Sequence, residues 1–475
     1  MKLTKNINPS MFREYDLRAI AETDISDDVA YTIGMSYGSY IQENGNNEVV
    51  IGHDNRLSSP RIFKALTKGL TESGVDVIDL GLITTPMFYF AKLFYNTYTG
   101  VMVTASHNPK EYNGFKISFS KIGNAYGKLI QDFKEYTYKL NFKKGNGKVI
   151  KKDIKEYYLQ NIKNSIDLNN RKVKVVVDCG NGTGSIIIKD ILDMFDIEYE
   201  LLYCESNPNF PNHVPDPAVA ANMVDLGKKV KELNYDFGIG IDGDADRVGV
   251  TDENGNFISA DLIMLIVYRD IEKTMKNKKA LFDVKCSRTL IDELKRLNIK
   301  PDMNRTGASY CNLVMQGDLN DPSSGYDFGG EYAGHLFFRD RYPGFDDGIY
   351  AGLRLIEIMS RFDKKFSNLL DNTNKYFSTE ELKVKVTEES KFKIVDGVKE
   401  YVKEKSYEYN DIDGVRVEFA DGWALIRCSN TGPDLTIRFE AKTKERLDEI
   451  QKEFENIINK KVELYKWKKM FLHLF

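Results

Sequence analysis

Residues 172–185, KVKVVVDCGNGTGS, read as an apolar, β-branched strand that ends on an Asp, turns through glycines and enters a helical pattern. Residues 48–59, EVVIGHDNRLSS, and 279–290, KALFDVKCSRTL, follow the same plan. Strand-turn-helix units of this kind build doubly wound α/β layers. The three units begin roughly 105 to 125 residues apart, which predicts three successive α/β domains of similar build.

The last hundred or so residues follow a different rule. Short alternating strands at 383–386, 414–419, 423–429 and 435–441 precede an amphipathic helix over 442–462, the pattern of a smaller α+β domain. The expected division is therefore 1–150, 151–256 and 257–367 as α/β domains and 368–475 as the α+β domain, with a hinge in 361–376. The basic, aromatic stretch 464–475, LYKWKKMFLHLF, is expected to be a short docked helix or a frayed tail rather than a membrane contact.

Composition narrows the function classes. A chain of 475 residues with 42% hydrophobic and 29% charged residues folds throughout its length as several domains. The net charge of −4 offers no global attraction to nucleic acid or to an anionic membrane, so anion binding has to come from local clusters. No signal peptide and no apolar run long enough to span a bilayer is evident, which predicts a cytoplasmic location. The five cysteines are widely spaced and form no CxxC pair, and they are expected to be reduced and mostly buried.

Four motifs carry chemistry. Residues 104–117, TASHNPKEYNGFKI, follow the apolar run YTGVMV and present Ser106 on a loop leaving a strand. Beside His107 alone, Ser106 reads no better than an ordinary turn residue, because nucleophile and base are rarely sequence neighbours. Residues 239–255, IGIDGDADRVGVTDENG, supply Asp242, Asp244 and Asp246 at alternate positions, three hard oxygen ligands suited to Mg²⁺. A calcium EF-hand is excluded, since Arg247 stands where that loop needs Gly and the preceding FGIGI is strand-like. Residues 329–348, GGEYAGHLFFRDRYPGFDDG, place Glu331 and His335 on a glycine-flanked segment where a carboxylate and an imidazole can meet a polyol. Residues 423–441, WALIRCSNTGPDLTIRFEA, gather Arg427, Ser429, Asn430, Thr431 and Arg438 about a turn, the donor set of a phosphate cradle.

These four segments, in this order, resemble the α-D-phosphohexomutase superfamily from about Phe12 to about Ala441. FREYDLR (12–18) and GFDDGIYAGLRLIEI (344–358) are similar to its phosphomannomutase/phosphoglucomutase branch rather than to phosphoglucosamine mutases. The resemblance implies four domains around a central cleft and interconversion of hexose 1-phosphate and hexose 6-phosphate, of mannose or glucose, through a phosphoserine. A hexose 1,6-bisphosphate is the implied intermediate and activator, and small sugar phosphates are the implied partners of a monomer or homodimer. Ser106 resembles the phosphoserine, which also offers an oxygen to the Mg²⁺ held by Asp242, Asp244 and Asp246. Arg18, Arg247, Lys116 and His107 resemble the surrounding donors, either Lys116 or His107 handling the sugar hydroxyl proton. Tyr15 and Lys285 match positions lining the substrate cleft. The segment Glu331, Tyr332, Ala333, Gly334 and His335 resembles the sugar-binding loop, and Arg427 to Thr431 the loop for the non-reacting phosphate.

Three positions depart from the family pattern: Ala19 in place of Gly, Ala308 in place of a frequent His, and Ala333 in place of Ser. The last removes a hydroxyl that would contact the sugar, a change worth about 1 to 3 kcal/mol of discrimination. A phosphoglucosamine mutase, a sugar-bisphosphate synthase or phosphatase, and a non-catalytic sugar-phosphate-binding protein are the alternatives on this scaffold. A mere binder would have no use for a metal beside a serine.

Overall fold

The computed structural model describes residues 1–120, 122–318, 321, 324–430 and 432–472, with side chains up to residue 463. The chain divides into two compact units, one formed by Met1–Asn277 with Gly307–Asp371 and the other by Lys278–Thr306 with Asn372–Phe475.

The strand-turn-helix stretch 279–290 falls in the second unit, whereas the first unit holds two α/β sheets. Its first sheet runs Leu17–Ile20, Tyr112–Ser118, Gly100–Val103, Glu48–His53, Asp76–Leu82, Val149–Lys151 in space. Five strands point one way; Tyr112–Ser118 runs against its neighbours on both sides. That reversal puts the Ser106 segment in the connection between two adjacent antiparallel strands, Gly100–Val103 and Tyr112–Ser118. Two helices, Asp27–Glu43 and Ser59–Ser73, cross so closely that a Cβ on Gly34 would meet the Leu66 carbonyl oxygen at 2.3 Å. Glycine is required there by packing alone.

The second sheet places Lys174–Asp178, Glu198–Leu202 and Phe237–Ile241 in parallel and adds Val248–Thr251 and Phe257–Ile258 antiparallel at one edge. It too is a mixed sheet. Ile241 pairs with Val248, so Asp242–Arg247 form the tight loop of a hairpin rather than a strand-to-helix crossover. A further hairpin, Phe328–Gly330 with Leu336–Phe338, carries residues 331–335.

The second unit contains the parallel pair Lys279–Asp283 and Lys300–Asn304, joined by the helix Arg288–Arg296. It also contains an antiparallel sheet built on Val415–Phe419, Gly422–Cys428 and Asp434–Ala441, as the alternation in sequence requires. The apolar faces of Glu388–Glu404 and of the final helix cover that sheet through Ile394, Val398, Ile450 and Phe454. The final helix spans Lys444–Leu472, ten residues beyond the expected end, so the backbone of 464–472 continues it. Among the described residues, no helix is long and apolar enough to cross a membrane.

Lys92, in the helix Thr85–Phe94, is fully buried, and its ammonium donates to the Ser118 hydroxyl and, at 3.2 Å, to the Gly123 carbonyl. Burial pulls its pKa down to about 7. The unfolded chain, with a lysine pKa near 10.4, binds more protons than the folded chain between about pH 7 and 10.4. Stability therefore rises with pH across that window. Urea unfolding of wild type and Lys92→Met over the same range should show the wild type gaining a few kcal/mol relative to the variant; a constant difference would contradict this account.

Candidate active site

Three loops of the first unit meet at one buried point. The first is the Ser106 loop. Ser106 itself is buried and has a positive φ of 50°, a strained conformation for a residue with a Cβ. Its amide donates to Thr104 Oγ1 at 2.9 Å, which holds the turn from inside. From outside it is held by Arg56, whose guanidinium donates to the carbonyls of Ser106 (2.7 Å), Asn108 (2.6 Å), Pro109 (2.8 Å) and Tyr112 (3.2 Å). Asp54 anchors Arg56 in turn, at 3.1 Å. A planar guanidinium with five fixed donors suits this task, and a lysine would not. Arg56 was not among the residues selected from the sequence; it sat within the quoted 48–59 stretch as an apparent turn residue.

The second loop is Asp242–Arg247. All three aspartates are buried, and one ligand atom from each lies within 4.8 Å of the others. Ser106 Oγ donates to Asp242 Oδ2 at 2.8 Å, which joins the serine to carboxylates about 140 residues away in sequence. The backbones also touch, since a Cβ on Gly243 would lie 2.5 Å from the Ser106 carbonyl oxygen. Lys116, on the returning strand Tyr112–Ser118, reaches Asp244 Oδ2 at 2.7 Å and Asp246 Oδ2 at 2.5 Å. Thr85 Oγ1 (2.7 Å) and Thr104 Oγ1 (3.2 Å) complete the hydrogen bonds to Asp244 Oδ2.

Electrostatics follow from this packing. Burial and the neighbouring carboxylates push Asp242 well above the usual carboxylate range. Burial would raise Asp244 as well, but the Lys116 ammonium and the Thr85 hydroxyl outweigh it and hold that carboxyl low. Lys116 resists the opposing effect of its own burial because Asp244 and Asp246 keep it charged. His107 lies with Nδ1 3.2 Å from Ser106 Oγ, and burial beside Arg247 and Arg18 drives its pKa down, so the ring is neutral.

The donor set fits a hard divalent cation. Oδ1 of Asp244 and Oδ1 of Asp246 are buried and accept no hydrogen bond among the described residues, which is costly for carboxylate oxygens unless a cation is to be bound. The Ser106 hydroxyl lies against the same cluster.

The third loop is the 331–335 turn. Gly334 has φ of +95°, and Val248 N donates to its carbonyl at 3.0 Å, tying the turn to the aspartate hairpin. His335 Nε2 accepts from Arg247 Nε at 3.0 Å, and its Nδ1 lies 2.9 Å from Asp346 Oδ2. Glu331 accepts from the Gly307 amide at 2.5 Å. Tyr15 packs on Gly307, where a Cβ would fall 2.3 Å from the tyrosine ring. Arg18 donates to Asn108 Oδ1 (2.7 Å) and Asp16 (2.5 Å), bringing it to the Ser106 loop. Asp346, Asn108, Thr85 and Thr104 are further residues that sequence reasoning did not select. Asp346, Asn108 and Thr104 lie inside stretches already quoted, whereas Thr85 lies in none of them and carried no signal.

The other predicted site residues belong to the second unit. Arg427 donates to Asp413 Oδ2 at 3.0 Å, and Asp413 also accepts from Thr306 N at 2.9 Å. The turn after Arg427 is braced by Lys391, which donates to the carbonyls of Ser429 (3.0 Å) and Gly432 (3.3 Å). Lys285 pairs with Glu381 at 3.2 Å. Arg438 donates to the Lys285 carbonyl and lies over the Trp423 ring at 5.5 Å. Thr431, predicted with this group, lies outside the described residues.

Comparison with known proteins identifies the family. Models of phosphoglucomutase/phosphomannomutase alpha/beta/alpha domains I, II and III match residues 9–140, 156–255 and 259–376, and the C-terminal domain model matches 381–457. The chain is 38% identical over 451 residues to a phosphomannomutase/phosphoglucomutase of Pseudomonas syringae pv. tomato, covering 95% of each protein. It is 37% identical over 457 residues to a phosphoglucomutase of Neisseria gonorrhoeae, covering 95% of this chain and 97% of that one. A crystal structure of a phosphoglucomutase/phosphomannomutase family protein from Burkholderia thailandensis superposes with a TM-score of 0.86 at 34% identity, over 96% of this chain and 98% of that one. A buried serine hydrogen-bonded into an aspartate triad, within four matched domains and relatives alike over nearly their full length, establishes that the chain belongs to the phosphoglucomutase/phosphomannomutase family.

Proposed function

We propose that Ser106 is the phosphoryl carrier through which this enzyme interconverts hexose 1-phosphates and hexose 6-phosphates of glucose and mannose. The observation that carries the assignment is the 2.8 Å hydrogen bond from Ser106 Oγ to Asp242 inside a buried triad. A serine meant only to cap a turn would not be strained, buried and aimed at three carboxylates. Asp242, Asp244 and Asp246, with an oxygen of phosphorylated Ser106, would hold Mg²⁺. Bound there, the ion offsets charge on the transferred phosphoryl group.

The chain's own residues supply the rest. Arg56 holds the Ser106 loop rigid from its carbonyl side, so the hydroxyl stays oriented as the phosphoryl group leaves it for the sugar and returns. His107, at 3.2 Å, is placed to take or return a proton at Ser106 Oγ, while Lys116 is engaged by two carboxylates and acts as a fixed charge. Arg18 and Arg247 supply donors to the phosphoryl oxygens. Tyr15, Lys285 and the 331–335 turn, with Tyr332 and Ala333, are assigned to the sugar. Arg427, Ser429, Asn430, Thr431 and Arg438 are assigned to the phosphate that does not react. A hexose 1,6-bisphosphate serves as intermediate and activator, and the enzyme works in the cytoplasm.

The test is direct: purified protein with Mg²⁺ and a trace of hexose 1,6-bisphosphate, offered mannose, glucose and glucosamine 1-phosphates. Mannose and glucose 6-phosphates are the expected products, lost when the ion is chelated. No 6-phosphate from any substrate would refute the assignment, and full activity in excess chelator would refute the role of the triad.

A further inference from the structure

Two cysteines outside the reaction lie side by side. Cys179 directly follows the strand Lys174–Asp178, and Cys204 follows the neighbouring parallel strand Glu198–Leu202, two residues past its end. Both are free thiols, and Cys204 Sγ is 2.7 Å from Cys179 Sγ, closer than two unbonded sulfurs ordinarily rest. Cys179 is wholly buried, whereas Cys204 is half-buried and can be reached from solvent. A disulfide of about 2.05 Å requires the sulfurs to close by less than 1 Å.

The pair sits at the root of two loops that flank the aspartate hairpin. In the first, Thr183 donates to the Gly243 carbonyl through both its amide (2.9 Å) and its hydroxyl (3.0 Å). In the second, Pro215 accepts from the Gly243 amide at 3.2 Å. Asn181 stitches the two loops together, donating to the Glu205 carbonyl at 2.9 Å and accepting from Asn207 N at 3.0 Å and Asn212 Nδ2 at 2.8 Å. His213 adds a bond to Asp178 at 3.1 Å. Gly243 lies between Asp242 and Asp244, so a shift of either loop reaches both carboxylates.

We propose that Cys179 and Cys204 form a redox-active dithiol that a low-molecular-weight disulfide converts reversibly to a protein disulfide, displacing the Asp242–Arg247 loop. The effect on turnover rests on the reading of that loop given above; the cross-link itself does not. In the first step the Cys204 thiolate attacks one sulfur of the oxidant RSSR, the oxidant's S–S bond breaks, and one RS⁻ leaves and takes up the proton that Cys204 gave away. In the second, the Cys179 thiolate attacks Cys204 Sγ, the mixed disulfide breaks, and a second RSH leaves carrying the proton of Cys179. The protein loses two electrons and two protons, and RSSR becomes two RSH. Burial raises the Cys179 thiol well above its ordinary pKa, which makes Cys204 the first to react.

The full-length protein, its mutase turnover first measured reduced, would be treated with oxidised glutathione, capped with a thiol alkylator and mapped by peptide mass spectrometry. A peptide pair joining Cys179 to Cys204, two hydrogens lighter and cleaved by dithiothreitol, is expected, with turnover falling several-fold and returning on reduction. Cys179→Ser should instead retain a stable glutathione adduct on Cys204, and Cys204→Ser should acquire neither product at this site. Absence of the cross-link, or the same adduct on Cys204 in wild type and Cys179→Ser, would overturn the dithiol. A complete cross-link with unchanged turnover would overturn the coupling to the aspartate loop.

Discussion

Ser106→Ala is expected to lower turnover of hexose 1-phosphate by about 10⁴-fold or more, because it removes the hydroxyl proposed as the phosphoryl carrier and leaves the other proposed site residues in place. Intact-mass measurement should show a fraction of wild type carrying one phosphate and none in the variant. The fold should survive: the amide bond to Thr104 and the Arg56 bonds to the loop carbonyls do not involve the hydroxyl. The positive φ is no easier for alanine than for serine, so the strain is unchanged. A variant with wild-type turnover and an unaltered melting curve would move the phosphoryl carrier elsewhere.

Lys116→Met is expected to have the largest effect on stability. Its ammonium is the cation that reaches both Asp244 and Asp246 in the absence of metal. Removing it leaves buried carboxylates uncompensated, a loss of about 3–5 kcal/mol when metal is chelated. Mg²⁺ should recover much of that loss, since an ion bound only by the folded state stabilises it. The rise in melting temperature on adding Mg²⁺ should therefore be greater for Lys116→Met than for wild type. Equal shifts would show that the ammonium and the metal do not share these carboxylates.

The motifs were legible because each combined a short-range periodicity with residue types that few structural roles explain together. Asp242, Asp244 and Asp246 fall within five residues after an apolar strand, so their clustering could be read locally. Arg56 could not, because its four carbonyl partners lie 50 to 56 residues away and carbonyls leave no trace in side-chain identity. Asp346 was hidden differently, inside the quoted stretch 329–348, where Glu331 and His335 were singled out instead. The pairing of Cys179 with Cys204 was also invisible, since their 25-residue separation matches no cysteine motif.

Fold class and the acidic triad follow from local pattern, because strand alternation, turn residues and carboxylate density are properties of neighbouring residues in the chain, whereas the reading of Ser106 and the family came from the resemblance of four motifs in order. The tertiary structure alone decided which strand runs backwards. It also put the Ser106 hydroxyl on Asp242, set Lys116 between Asp244 and Asp246, and brought the thiols of Cys179 and Cys204 into contact. Those are relations between elements far apart in sequence, fixed by how sheets and helices bury their apolar faces together, and burial is what turns such contacts into strained backbone, shifted protonation and chemistry.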